Sequence, residues 1–211
     1  MNVRIIKKAA MFGLDARIAL AIFGALSVIS GAALYSAIQQ ANTESYRQLF
    51  EELTKASEQY YLDNGKPLPQ FDNRLTQIGD LTTNRENLNT WNGPYFSSTN
   101  VLSYQIKNDK TANMGSSALI EIWLMPPSTW ASNTNYTICS SVGDNNCAEF
   151  FVLHPLGNAT SNSNIYNLYQ QLDKLVDNGN GALTGKVRYI DRAGDTSDVL
   201  AYQGINHKRS I

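Results

Sequence analysis

From Ile18 to Ile38 the chain reads IALAIFGALSVISGAALYSAI, 21 residues without a charge. Wound as a helix, that run is about 31 Å long, enough to cross a hydrocarbon layer of about 30 Å. After Ile38 the pattern narrows to a stripe. Tyr46, Leu49, Phe50, Leu53, Ala56 and Tyr60 recur at spacings of three and four, with Arg47, Gln48, Glu51, Glu52, Lys55 and Glu58 between them. Such a stripe belongs to a helix with one buried face. No Pro or Gly falls between Ala32 and Asn64. The pattern therefore predicts one continuous helix from about Asp15 to Leu62. Its first half suits lipid or sister helices, and its second half packs on a folded head. A transmembrane helix followed, after a break, by an ordinary amphipathic helix fits the same residues. Asn64-Gly65 supplies a left-handed stop, with Pro67 just beyond.

Beyond Asn64 the periodicity fades into turn formers, GKPLPQFDN and then TWNGPYFSSTN. Val101–Lys107 alternates loosely and reads as a strand. Ala118–Met125 is a better one, closed by Pro126-Pro127. Tyr136–Cys139 and Glu149–His154 read as short strands flanking a polar loop. Ile165, Leu168, Leu172, Leu175 and Val176 take helical spacing, and Asn178-Gly179-Asn180-Gly181 ends that helix. Lys186–Ile190 and Val199–Tyr202 complete the set. The expected class is α+β: a long N-terminal helix packed on a small antiparallel sheet of about four strands. The expected organisation is a leader at 1–13, a transmembrane half-helix at 14–40 and an extracytoplasmic head at 41–211.

Composition sharpens this. The chain has 211 residues, 17% charged, and a net charge of −1, so nothing in it asks for a nucleic-acid partner. Polarity comes instead from Asn, Ser and Thr, as in SNTNYT and NATSNSN. Lys7, Lys8 and Arg17 precede the apolar run, while Glu44 and Asp63 follow it, which keeps the N-terminus in the cytoplasm. The bulk of the chain then lies outside. Cys139 and Cys147 bracket SSVGDNN, a turn composition; in an oxidising compartment they read as a disulfide, in the cytosol as free thiols. An apolar run of this length exceeds that of a cleaved secretory signal, although Ala33–Ala37 offers small residues for a cut.

Gly13 before the apolar helix, Tyr60–Lys66 with Pro67 and Pro69, Trp91–Tyr95, Leu172–Gly179 with Thr184–Arg188, and the Cys139–Cys147 loop together resemble the type IV pilin superfamily, and most of all the major pseudopilins of type II secretion. Gly13 stands after a basic leader and before the apolar helix, where a prepilin peptidase cuts that family. Tyr60-Tyr61-Leu62-Asp63-Asn64-Gly65-Lys66, with Pro67 and Pro69, is similar to the family's helix-ending motif. Trp91-Asn92-Gly93-Pro94-Tyr95 is similar to its W-x-G-P-Y turn. Leu172–Gly179 and Thr184–Arg188 resemble a C-terminal stretch of bacterial pilin-like proteins, and the Cys139–Cys147 loop is similar to the disulfide-bounded loop of many pilins. The resemblance implies a subunit of a helical homopolymer, made in the bacterial inner membrane with its head in the periplasm and assembled by dedicated machinery. It implies cleavage between Gly13 and Leu14. The family's glutamate at the fifth mature position is here Ile18, and its early helix-kinking proline is absent. Asp15 lies three residues before Ile18, on nearly the same helix face. It either replaces that glutamate in pairing with a neighbour's terminal amine or simply caps a helix N-terminus.

Small residues in the apolar run, Gly24, Ser27 and Gly31 among them, let helices approach closely; they also occur in any membrane helix. No enzyme active site is expected. His154 and His207 lack metal-ligand spacing, and a Ser128–His154–Asp144 set has no supporting glycines. Asp191, Asp195 and Asp198, with Ser197, offer hard oxygen ligands that suit Ca2+, or are solvated turn acids. The competing function is a membrane-anchored periplasmic binding or adhesion domain that does not polymerise; an anchored hydrolase ranks third.

Overall fold

The computed structural model describes residues 3–72, 75–98, 100–109, 118–128, 130–132, 139, 147–155, 162–192 and 198–206. Helix α1 covers Val3–Asn64. The expected start near Asp15 is therefore too late. Residues 3–14 contain no proline and are rich in Ala, Ile and Lys, so nothing stops the helix from extending towards the N-terminus. Its end is as the sequence predicts: the Gly65 amide donates to Tyr61 O at 2.8 Å from a left-handed conformation with φ of 64°. By contact density the chain forms two compact units, Met1–Asn42 and Thr43–Ile211.

In the second unit, β1 (Asn100–Val101), β2 (Ile106–Lys107), β3 (Ala118–Met125), β4 (Ala148–Pro155), β5 (Val187–Ile190) and β6 (Val199–Asn206) form one antiparallel sheet, in the order β1-β2-β3-β4-β6-β5. The expected single strand at 101–107 is instead a tight hairpin, closed by Leu102 N–H donating to Gln105 O at 2.9 Å. Helix α2 spans Asn162–Asp177 and ends where Asn178 and Gly179 turn left-handed. The expected strand at 136–139 falls mostly outside the described residues; Cys139 itself is not in a strand, though its N–H donates to Leu124 O at 3.0 Å.

The sheet is buried on both faces. On one face Ile120, Ile122, Phe151, Leu153, Leu200 and Tyr202 meet the α1 stripe, and all six stripe residues are buried. Phe50 stacks on Tyr202 with ring centroids 4.8 Å apart. On the other face Trp123, Met125, Phe150, Val152, Val199 and Ala201 pack under Leu75 and Trp130, which come from loops. Successive side chains of a strand point to opposite faces. Two apolar faces therefore need two interleaved apolar sets, which is why ALIEIWLM and AEFFVLHP lack clean alternation.

Two charges sit inside this second layer. Arg188, 1% exposed, donates to the carbonyls of Gly185 (3.0 Å), Ser128 (2.9 Å) and Pro127 (2.6 Å). Its guanidinium lies 4.5 Å from the Trp130 ring centre and 5.1 Å from that of Phe150. Burial lowers its pKa to about 10. Glu121, its carboxylate counterpart on β3, accepts from Gln105, Trp123 and His154.

Candidate assembly surface

The first unit is helix throughout its described length, and from Asp15 to Ile38 every residue is exposed. Leu20, Phe23 and Val28 show 69%, 70% and 73% of their surface. The most apolar window has mean hydropathy 2.1 and contains no buried residue. Within its own unit the helix leaves this apolar surface exposed, and transferring such surface out of water is worth about 25 cal/mol per Å². Among the described residues this is the one helix long and apolar enough to cross a membrane.

Gly24, Ser27 and Gly31 share one stripe of this surface. A Cβ placed on Gly24 or Gly31 would meet nothing within 4 Å, so the notch they form is open. Ser27 Oγ donates to Phe23 O at 2.8 Å, which satisfies the hydroxyl inside its own helix, as an apolar environment requires. Gly13 and Leu14 continue the helix without interruption. Asp15 is exposed and lies twelve residues inside the helix end at Val3.

The remaining candidates separate. Asp198 accepts from the Tyr189 hydroxyl and, at 3.0 Å, from Arg192 N–H, so both its oxygens hold the β5–β6 hairpin. Asp195 and Ser197 lie outside the described residues, as do Asp144 and His207. Among the described residues no three His, Cys, Asp or Glu side chains come together to hold a metal ion. His154 pairs with Leu119 at the start of β3, whereas Ser128 follows the end of β3. Six residues of strand, about 20 Å, separate those two levels, so the hydrolase set is not assembled. Cys139 and Cys147 form a disulfide with Cα atoms 6.2 Å apart, packed against Leu124.

Two features of the head carry chemistry that the sequence did not disclose. One is an open groove of about 710 Å³ beside α1, walled by Glu52, Lys55, Gln59 and Asp63 on the helix and by Tyr95 and Asn108 opposite. The other is the Glu121 network. Trp123 Nε1 and Gln105 Nε2 donate to the carboxylate at 2.6 Å each, and His154 Nε2 at 3.0 Å. Burial pushes this carboxyl up, but the hydrogen bond and charge of His154, then Gln105 and Trp123, more than offset it and bring it to about 2. The folded pKa lies below the usual 4.5. The stability it confers, about 3 kcal/mol, is therefore present above pH 4.5 and lost as pH falls through about 2. Glu121→Gln is expected to lower the unfolding free energy at pH 7 by about 2 kcal/mol and to match the unaltered protein near pH 2. Acid titration followed by tryptophan fluorescence checks this; a gap that persists at pH 2 would contradict it.

No family model matches the chain, and neither does any curated protein or solved structure.

Proposed function

We propose that this chain is a pilin-like structural subunit that polymerises through the apolar half of α1, as a pilus or a secretion pseudopilus. The observation that carries the proposal is one helix with two different surfaces. Ile18–Ile38 is exposed and uncharged, while Tyr46–Tyr60 fills the core of the head. A subunit of this kind holds its apolar half in the inner membrane, with the head in the periplasm, until it joins a filament. There the same surface packs against sister helices, and a head-to-tail contact that does not close makes a helical fibre. The Gly24–Ser27–Gly31 notch sets the closest approach between helices. Cleavage by a prepilin peptidase between Gly13 and Leu14 would start the mature chain at Leu14, with Asp15 beside the new amine. In that state Asp15 is placed to pair with a neighbour's terminus.

The test is expression of the full chain with a type IV assembly system, followed by electron microscopy and mass spectrometry of the N-terminus. Filaments built from chains starting at Leu14 are expected. Gly24→Leu with Gly31→Leu is expected to cut filament yield at least tenfold and leave the head folded. Chains that stay monomeric in the membrane and begin at Met1 would overturn the proposal. That outcome favours the second reading, an anchored binding or adhesion domain, for which the polar groove beside α1 is the supporting observation.

A further inference from the structure

The 3-10 turn Ile78–Leu81 and the two residues leading into it, Thr76 and Gln77, are hydrogen-bonded to several neighbouring segments. Gln77 N–H donates to Pro69 O at 2.7 Å, Thr76 N–H to Ile122 O at 3.1 Å and Gly79 N–H to Ser103 O at 2.9 Å. Tyr95 and Phe96 N–H both reach Leu81 O, at 2.8 and 3.1 Å, and Trp91 Nε1 donates to Asp80 O at 2.9 Å. All four residues of the turn are buried. There is no slack: a Cβ on Gly79 would lie 2.4 Å from Leu102 O. The turn and the residues leading into it thus join Pro69, β3, the β1–β2 hairpin and the 91–96 segment that borders the groove.

At its centre is Asp80, 1% exposed; neither carboxylate oxygen makes a well-formed hydrogen bond, and the only hydrogen-bond donor close enough to favour the charged form is the Arg85 backbone N–H. Neither oxygen has surface that a water could touch. Tyr60 Oη, approaching from α1, is equally buried and unpaired. The charged groups that act on Asp80 are Glu86 and Arg85 from the 82–91 loop and Lys66 from the segment after α1, all three exposed. Glu86 opposes ionisation and is itself drawn to Lys66, 3.5 Å away. A buried carboxylate with so little donation and no water costs free energy when charged, and a proton removes that cost.

We propose that Asp80 is a proton-binding site, and that its protonation locks the Ile78–Leu81 turn and the groove-lining segment attached to it. Burial, followed by the charge of Glu86, raises this carboxyl from 3.8 to about 6. That corresponds to roughly a hundredfold higher proton affinity than in an unfolded chain. Because the folded pKa is raised, the stabilisation is complete below pH 3.8 and is lost as pH rises through about 6. Above pH 6 the charged carboxylate strains the turn, and the layer tied to it loosens first.

The test compares the full chain in detergent with its Asp80→Asn variant, which keeps the shape and cannot ionise. Unfolding of the head is followed between pH 5 and 7.5. The unaltered protein is expected to lose melting temperature as pH rises, whereas Asp80→Asn stays level and melts higher at pH 7.5. Any other titration is common to both and cancels in the comparison. Equal slopes, or a variant that melts lower at pH 7.5, overturn the proposal. A second measurement needs no variant. Hydrogen exchange at Gly79, Tyr95 and Phe96 of the unaltered protein, corrected for intrinsic rate, is expected to quicken from pH 5 to 7.5. Unchanged protection overturns it as well.

Discussion

Phe50→Ala is expected to destabilise the head by about 4 kcal/mol, within the range for truncating a buried aromatic. Phe50 has no exposed surface and stacks on Tyr202 with the two rings within 8° of parallel. It lies at the middle of the α1 stripe, between Leu49 and Leu53, and faces the sheet through β6. Neighbours on both sides are anchored, α1 by its own hydrogen bonds and β6 by two strand partners. The cavity would therefore collapse only in part, which places the loss in the upper range. Phe50 lies outside the apolar run 18–38, so membrane insertion is expected to be unchanged. Chemical unfolding of the head, monitored by near-ultraviolet circular dichroism, measures the effect; a loss below about 1 kcal/mol would mean the stripe does not hold the head together.

Arg188→Met is expected to cost about 3 kcal/mol, although it removes a charge from an apolar layer. Two effects oppose one another. Deleting the guanidinium relieves its desolvation, and buried charges have been replaced by hydrophobic groups without loss when all partners were replaced together. Here the partners are three backbone carbonyls, Gly185, Ser128 and Pro127, which no side-chain substitution can remove. Each loses a charge-assisted donor, at about 1–3 kcal/mol where water cannot take its place. Contacts to the Trp130 and Phe150 rings go as well. The carbonyls decide the sign. Arg188→Lys keeps the charge but not the planar fork, and is expected to recover less than half of the loss. Urea unfolding of the three proteins checks the order; Met more stable than Arg would show that desolvation wins.

The sequence displayed some of this and hid the rest for physical reasons. The α1 stripe was legible because a helix in contact with one layer repeats every three or four residues. The strand β3 was legible because Pro126-Pro127 stops an apolar run. The chemistry of the second face was not. Glu121 and Arg188 interrupt apolar strands in the manner of solvent-facing positions, yet both are buried, because Leu75 and Trp130, which come from loops, pack over that face. Loop paths carry no periodicity, so no local signal announced them. Asp80 was hidden likewise: in IGDL it resembles any turn acid. The exposed apolar half of α1 was legible in composition, since an uncharged run with Gly24, Ser27 and Gly31 needs no tertiary information.

The grip of Arg188 on the 126–132 segment has an evolutionary consequence. It holds main-chain oxygens, a feature that every amino acid presents alike. Side chains at positions such as Ser128 and Ala131, both exposed, can therefore change while the anchor stays intact. That patch of the head is free to alter what it shows to the outside without the fold having to adjust.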